Sequence, residues 1–450
     1  MSDTAAVFLR QAEISESTRP LRIALFADTF LPRFDGSIRR VCHTISHLRE
    51  FGHEVLVIAP DGGITDFEGA RIHGVPGFPF PLYREVRLAI PRPSIGRVLT
   101  PFRPDLIHAI NPASLGASAF YYATVQRVPL VVSYHTQIPK YLHYYGLGFL
   151  EGLAWWGIRA SYNRADLALV TSRAMKTVLE EHGVRRVELW QRGVDTQLFR
   201  PDRASPEMRA RLTQGHPEDK LLLCVGRLAA EKEIERCREV LAAIPALRLA
   251  IVGDGPHRDK LERYFAGTRT YFAGHLKGVE LAAAFSSADV FFLPSRTETL
   301  GLVLLEAMAA GCPLVAARAG GVPDIVEDGV TGYLFEPGKP GIAIECVRQL
   351  LDDSASREQM VHHARLEAER WSWRAATRQL ESFYRAAISR DEKLPQQIAA
   401  QRTRGVSVDD TCKALQISRA TLRRHARTRA WFFFAPSWAG ASLRDREGRK

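Results

Sequence analysis

The chain has 450 residues, of which 46% are hydrophobic and 25% charged, which is ordinary for a soluble protein with buried cores and predicts about three domains, or two large ones. Every apolar run is shorter than the ~18 residues of a membrane-spanning helix, and the N-terminus is polar, so neither a spanning helix nor secretion is expected. The six cysteines are scattered, which indicates a reduced, cytoplasmic protein. The formal charge of +11 is uneven, because residues 390–450 hold fourteen Lys and Arg against six Asp and Glu, or +8, which leaves +3 for residues 1–389.

Short apolar runs that alternate with helical patterns predict a parallel α/β domain in the first half of the chain. The helical pattern over 38–51 places Val41, Ile45 and Leu48 on one face, since these positions are three or four apart. The strands are predicted at 22–27, 55–59, 106–109, 130–134 and 167–170.

A second series of apolar runs predicts another domain of the same kind. Its strands are expected at 221–225, 249–252, 271–272, 290–293 and 314–316. Two doubly wound domains imply a cleft between the carboxyl ends of the two sheets, where ligands bind. The predicted parts are an N-terminal extension (1–20), an N-terminal domain (21–195), a linker (196–219), a C-terminal domain (220–370), a closing helix (371–389) and a basic helical tail (390–450).

Two features of the first domain point toward this cleft. Gly36 lies in the loop between the first strand and its helix, where a ligand can approach the backbone and the helix amides can hold phosphate or sugar oxygens. His135 follows the strand at 130–134, so its side chain is expected at the cleft. The alternatives are an ordinary loop and a hydrogen-bonded loop histidine.

The second domain carries two cations on a strand-to-helix turn, Arg227 and Lys232. Both can reach adjacent phosphates, and one such charge pair at about 4 Å interacts by about 4 kcal/mol at an effective dielectric of about 20. Most Arg and Lys side chains are simply exposed. The buried strand directly before Arg227 favours the ligand-binding interpretation.

Two carboxylates, Glu298 and Glu306, flank an apolar segment that predicts a helix over 301–310. An ionised carboxylate only accepts hydrogen bonds, so hydroxyl groups suit it, and burying one without a partner is costly. Gly320 and Gly321 then offer backbone amides at a turn. Cations for a diphosphate and acceptors for several hydroxyls indicate a nucleotide sugar.

Together these residues resemble the retaining glycosyltransferases of family 4, which have the GT-B fold: two Rossmann-like domains facing across a cleft. The resemblance covers residues 21–388. Within the family, the chain is more similar to the sulfoquinovosyltransferases of sulfolipid synthesis. The resemblance to the family as a whole is carried by Asp35-Gly36, His135, Arg227 with Lys232, Glu298-x7-Glu306 and Gly320-Gly321. The resemblance to the sulfoquinovosyltransferases is carried by residues 59–63, 72–83, 133–141, 189–195 and 294–303.

The resemblance implies transfer of sulfoquinovose from its UDP form to diacylglycerol, at the cytosolic face of a photosynthetic or plasma membrane. No metal or other cofactor is expected, since Arg227 and Lys232 would neutralise the diphosphate. Glu306 would bind ribose, Glu298 the sugar, and His135 the region near the reacting carbon. The remaining implied donor contacts are Gly36, Gly253, Leu300, Gly301, Leu302, Gly320 and Gly321. Mannosyl or glucosyl transfer to a lipid is the second interpretation.

A sulfonated sugar needs one further cation. The candidates are Arg192, Lys140 and the pair Arg39-Arg40, among which the sequence does not choose.

The tail departs from the family, since residues 406–427 resemble the helix-turn-helix of resolvase-type DNA-binding domains. Trp431 and Trp438 beside basic residues favour an anionic lipid surface instead. Nucleic acid is expected to bind only through this tail, and a DNA-binding regulator on a transferase-like fold is the third interpretation. The tail is predicted to be separable from catalysis.

Overall fold

The computed structural model describes residues 19–32, 36–80, 83–89, 91–137, 139, 142–143, 146–299 and 301–425. Several predicted features lie outside these residues: Asp35, Lys140, Leu300, Arg427, Trp431 and Trp438. Across the described part of the chain, no helix has the length and apolar character needed to cross a membrane.

The first domain is built on an eight-stranded sheet whose order is β10-β9-β8-β7-β1-β2-β4-β3. Its strands and the separate hairpin β5–β6 are β1 (Arg22–Ala27), β2 (Glu54–Pro60), β3 (Asp66–Phe67), β4 (Ala70–Val75), β5 (Gly77–Phe80), β6 (Tyr83–Ala89), β7 (Leu106–Ile110), β8 (Leu130–Tyr134), β9 (Leu167–Val170) and β10 (Val187–Leu189). Only β3 pairs antiparallel within this sheet.

Helices cover both faces of that sheet. They are α1 (Gly36–Glu50), α2 (Pro93–Phe102), α3 (Gly116–Gln126), α4 (Glu151–Tyr162) and α5 (Arg173–Glu181). Side chains alternate across a strand, so Ile23 and Leu25 of β1 enter one hydrophobic core while Ala24 and Phe26 enter the other. Burial on both faces explains why the predicted strands are nearly continuous apolar runs.

The second domain contains a six-stranded, fully parallel sheet in the order β13-β12-β11-β14-β15-β16. Its strands are β11 (Lys220–Val225), β12 (Leu247–Val252), β13 (Thr270–Gly274), β14 (Val290–Leu293), β15 (Leu314–Ala317) and β16 (Tyr333–Phe335). Its helices are α6 (Pro206–Leu212), α7 (Cys237–Ala243), α8 (Arg258–Tyr264), α9 (Gly278–Ser286), α10 (Leu302–Ala309), α11 (Pro340–Asp352) and α12 (Ser354–Glu369). The predicted α/β class with two doubly wound domains is therefore confirmed.

The segment predicted as a linker, 196–219, instead belongs to the second domain. Phe199, Met208 and Leu212 are buried in the same hydrophobic core as β11 and β14. The high content of Pro, Arg and Glu concealed these apolar residues: Met208 and Leu212 are four positions apart on the short helix α6, and Phe199 precedes it. The chain crosses between the domains just before this segment, where Val194 N donates to Trp371 O at 2.9 Å.

The closing helix is longer than the predicted 371–389. Helix α13 (Trp373–Thr403) passes through residue 390 without a break. Its first half returns to the N-terminal domain, where Leu380, Phe383 and Tyr384 join the core beside β1. The second half continues because Leu394 and Ile398 remain buried, four residues apart.

The tail forms two short helices, α14 (Val408–Ala414) and α15 (Arg419–His425), which pack on the second half of α13. The guanidinium of Arg424 is buried between two carboxylates, with Nη1 at 3.0 Å from Asp166 Oδ2 and Nη2 bonded to Asp391. Arg419 pairs with Asp409 at 2.5 Å. Arg419 and Arg424, two arginines of the segment that resembles a helix-turn-helix, thus bind carboxylates of the chain itself, and Arg424 joins the tail to the first domain.

We expect Arg424→Ala to destabilise the protein by about 3–5 kcal/mol, because it leaves two mostly buried carboxylates without their cation. The matched control is Arg419→Ala, whose ion pair is exposed and should contribute about 1 kcal/mol or less. Urea unfolding of both variants, followed by circular dichroism, measures the difference. Equal stabilities for the two variants would show that the tail does not brace the first domain.

Candidate active site

The carboxyl ends of the two sheets meet in direct contact. Thr299, after β14, donates from Oγ1 to the carbonyl of His135, after β8, at 2.7 Å. Thr171, after β9, donates to the Thr299 carbonyl at 3.1 Å. The amide of Arg173 donates to Asp324 Oδ2 at 2.5 Å. The predicted cleft is thus narrow here, and its two walls are hydrogen-bonded to each other.

Glu298 and Lys232 form the centre of the second domain's wall. Lys232 Nζ lies 2.7 Å from Glu298 Oε2, and the amide of Gly301 donates to Oε1 at 3.1 Å. Burial by itself would raise the pKa of Glu298, but the Lys232 ammonium and the amide outweigh it and hold this pKa below its ordinary value. Gly301 adopts φ 63°, which suits glycine at the start of α10. A carboxylate and an ammonium are thus held side by side.

Arg227 stands on the neighbouring turn, where its guanidinium binds Glu231, a fully buried carboxylate. Gly253 lies against this turn at φ 139°, and a Cβ on it would come within 1.9 Å of the Gly226 carbonyl. Glycine is therefore required at 253 to let the two turns touch. Its role here is to shape the Arg227 loop.

Glu306 contacts the first domain. Its Oε1 lies 2.5 Å from Arg39 Nη2, while its Oε2 is buried without a hydrogen-bond partner among the described residues. Burial raises the pKa of Glu306 to about 7, against the opposing effect of the Arg39 guanidinium. An unpaired buried acceptor is uncommon and is suited to a hydroxyl donor.

The glycine turn after β15 packs onto the Glu298 loop. The amide of Gly321 donates to the Glu298 carbonyl at 2.7 Å. A Cβ on Gly320, which has φ 58°, would lie 2.2 Å from that same carbonyl. Across the cleft, Gly36 at the start of α1 faces Leu302 at the start of α10, with 3.7 Å between a Cβ built there and Leu302 Cδ1. Gly320 therefore allows its turn to approach the Glu298 loop, whereas a Cβ on Gly36 would make an ordinary van der Waals contact.

His135 is buried, with 2% of its surface exposed. Its Nε2 lies 2.8 Å from Ser133 Oγ, and its Nδ1 has no partner within the described part of the chain. Burial, together with the nearby Arg40, lowers the pKa of His135 well below its ordinary value, so the ring is neutral at neutral pH. Ser133 also bonds His108, which in turn bonds Tyr384 of α13 at 2.6 Å.

Sequence reasoning missed this chain of polar side chains and the partners of the two glutamates. A signal for His108 did exist, because a histidine inside the apolar strand β7 needs a buried partner. Thr171 and Thr299 gave no such signal, and Arg39 was named as a candidate for the sulfonate, not as the partner of Glu306. Their contacts cross between domains that only the folded chain brings together.

Within the described residues, no group of three or more His, Cys, Asp or Glu side chains could hold a metal ion. The polar groups at the domain junction are instead cations, two carboxylates and a neutral imidazole. Such a set can hold a diphosphate and several hydroxyls.

The comparisons with known proteins agree with this chemistry. The family model for Glycosyltransferase Family 4 matches residues 34–198, and the model for Glycosyl transferases group 1 matches residues 209–367. The chain belongs to family 4 of the glycosyltransferases and is a retaining hexosyltransferase of the GT-B fold. The predicted family and enzyme class are confirmed.

Two relatives show which members of the family the chain is similar to. It is 42% identical to sulfoquinovosyl transferase SQD2 of Arabidopsis thaliana, over 82% of this chain and 75% of that protein. It is 39% identical to a GDP-mannose-dependent alpha-mannosyltransferase of Mycolicibacterium smegmatis, over 70% of this chain and 84% of that protein.

A solved structure shares the fold. HepE of Anabaena, crystallised with UDP and glucose, superposes with a TM-score of 0.66 at 20% identity, covering 80% of this chain and 98% of HepE. At this level of identity the likeness concerns the arrangement of the two domains.

The raised pKa of Glu306 predicts a pH-dependent stability. Between the ordinary value of 4.5 and about 7, the unfolded chain releases a proton that the folded chain keeps, so stability falls as pH rises through this window. The slope for one group is up to about 1.4 kcal/mol per pH unit. Glu306→Gln lacks this slope, so its stability relative to wild type should increase from pH 5 to pH 7.5. Urea unfolding at both pH values measures this, and a constant difference would contradict the assignment.

Proposed function

We propose that this glycosyltransferase moves sulfoquinovose from UDP-sulfoquinovose to diacylglycerol, forming sulfoquinovosyldiacylglycerol. One observation carries the donor site: the contact between Lys232 and Glu298 at 2.7 Å, which joins a cation for the diphosphate to an acceptor for sugar hydroxyls. The relative named sulfoquinovosyl transferase, at 42% identity over 82% of the chain, supports the choice of sugar.

The nucleotide half of the donor would lie along the second domain. Arg227 and Lys232 would bind the diphosphate by charge-assisted hydrogen bonds. In this structure Arg227 binds Glu231 and Lys232 binds Glu298. The bound donor would add its phosphates as further partners of the two cations. Glu306 Oε2, buried beside α1, is suited to a ribose hydroxyl.

The transfer step keeps the configuration of the sugar carbon. The bond between that carbon and the phosphate oxygen breaks as the acceptor hydroxyl attacks from the same face. The acceptor proton passes to the departing phosphate oxygen, whose charge Arg227 and Lys232 stabilise. His135 is neutral, so it would orient the sugar through hydrogen bonds and would not supply a proton.

A lipid acceptor places the protein at the cytosolic face of a membrane. Exposed apolar side chains on the first domain support this location: Phe149 is 80% exposed, Leu153 63% and Trp156 60%. Phe149 lies on a short 3-10 helix directly before α4, and Leu153 and Trp156 lie in the first two turns of α4. The three residues are three or four apart, so they share one face. This surface complements the basic tail as a candidate membrane contact.

Mannosyl transfer is the second candidate, because the mannosyltransferase relative is 39% identical over 70% of the chain. Mannosyl transfer by this chain would use the same cations and carboxylates. The two candidates differ in the base of the nucleotide and in the sulfonate on the sugar.

We expect Arg227→Ala, Lys232→Ala and Glu298→Ala each to lower kcat/KM by about ten- to a hundredfold, since each removes a charge-assisted hydrogen bond of about 1.5–3 kcal/mol. The matched control is Lys260→Ala, whose ammonium pairs with Glu235 and is 60% exposed on α8. Steady-state kinetics with the same donor and acceptor, and melting curves for each variant, provide the comparison. Wild-type rates in all three folded variants would contradict this donor site.

The donor itself is tested by offering UDP-sulfoquinovose, UDP-glucose and GDP-mannose with diacylglycerol in detergent. We expect UDP-sulfoquinovose to give the highest kcat/KM, and the rate to persist in EDTA because the cations of the chain stabilise the leaving diphosphate. Lipid products are quantified by mass spectrometry. Preference for GDP-mannose would assign the protein to mannosyl transfer. Loss of activity in EDTA that Mg²⁺ or Mn²⁺ restores would show that a metal ion is needed.

A further inference from the structure

Arg192 is a buried cation at the junction of the two domains. It follows β10, only 2% of its side chain is exposed, and its Nη2 touches the loop of the second domain at the Thr299 carbonyl, 3.4 Å away. A Cβ on Gly321 would lie 2.9 Å from the same nitrogen. Arg192 therefore reaches from the first domain to the loops that carry Glu298 and the glycine turn.

Part of the Arg192 guanidinium makes no hydrogen bond to the described residues. Its Nε and Nη1 are buried and have no hydrogen-bond partner among the described residues. Nε carries one N–H and Nη1 carries two, so three donors lack an acceptor. Buried polar groups are nearly always hydrogen-bonded, so this arrangement calls for a ligand.

The positive charge of Arg192 is only partly balanced. The nearest carboxylate oxygen, Asp324 Oδ2, lies 3.9 Å from Nη2 and already accepts a hydrogen bond from the Arg173 amide. Glu298 is near enough to stabilise the charge, but its own oxygens bind Lys232 and the Gly301 amide. An anion at this position would complete the balance.

Of the other cations considered for the sulfonate, Lys140 lies outside the described residues, and Arg39 and Arg40 are engaged elsewhere. Arg39 binds Glu306. Arg40 also has two unpartnered nitrogens, but its Nη2 binds the carbonyls of Trp190 and Gln191 and its guanidinium lies 3.6 Å from the centroid of the Trp190 ring. It belongs to the wall of the first domain, whereas Arg192 touches the sugar-binding loops.

We propose that Arg192 binds the sulfonate of the donor sugar and so selects sulfoquinovose over its unsulfonated counterpart, an inference that rests on the proposed function. A sulfonate has three acceptor oxygens and one negative charge, which match the three unpaired N–H groups and the unbalanced cation. The flat, permanently charged guanidinium is well suited to a group with several oxygens. Glucose carries a hydroxyl where sulfoquinovose carries the sulfonate, and this hydroxyl would leave the charge of Arg192 unbalanced.

The test measures binding without acceptor, so that no turnover occurs. Dissociation constants for UDP-sulfoquinovose, UDP-glucose and UDP are determined by titration calorimetry for wild type, Arg192→Gln and Arg192→Lys. Arg370→Gln is the matched control, because its side chain is 78% exposed and pairs with Glu367 at the surface. Circular dichroism confirms that each variant is folded.

We expect Arg192→Gln to weaken UDP-sulfoquinovose by about ten- to a hundredfold and to leave UDP-glucose and UDP within about twofold. Arg192→Lys keeps the charge and should lose less of the affinity for UDP-sulfoquinovose. If the Gln variant does not fold, the Lys variant tests the inference in its place. Equal weakening of all three ligands, or no weakening, would overturn the inference while the proposed function stands. Failure of the wild type to bind UDP-sulfoquinovose would overturn the proposed function, and the inference with it.

Discussion

The carboxylate of Glu298 is the group on which the candidate site depends. Its two oxygens bind Lys232 and the amide of Gly301, the residue directly before α10. The backbone carbonyl of Glu298 accepts a hydrogen bond from the amide of Gly321 and so holds the glycine turn. Three loops of the second domain thus share one residue. Because the carboxylate is largely buried, each of these bonds is shielded from water and positions its partner more firmly than it would at the surface.

The junction between the domains concentrates charge in a buried region. Arg40 and Arg192 are both buried, and burial, together with the nearness of Arg192, lowers the pKa of Arg40. Such cations cost free energy unless anions or carbonyls meet them. Their presence where the two sheets meet supports the proposed anionic donor, since a nucleotide sugar with a sulfonate would supply three anionic groups.

The C-terminal segment connects the two halves mechanically. Helix α13 begins at the crossing point beside Val194 and packs on the first domain, where Tyr384 bonds the polar chain that ends at His135. The same helix then holds the tail, which binds back to the first domain through Arg424. The tail and the polar chain at His135 thus contact the same helix.

The sequence by itself determined the two sheets and the family and named the candidate residues of the donor site, because apolar runs and short motifs are local properties. All five strands predicted in each domain are present. The short strands β3, β10 and β16 were missed, since runs of two or three residues carry little pattern, and so were β4, β5 and β6, whose sequences mix apolar residues with Arg, His, Gly or Pro. Only the tertiary structure showed that Arg192 is buried with unpaired donors, which residues join the domains, and that 196–219 and the described part of the tail are packed parts of the fold. Those facts depend on contacts between residues more than a hundred positions apart, such as Thr299 with His135 and Arg192 with Thr299, and local patterns carry no information about such pairs.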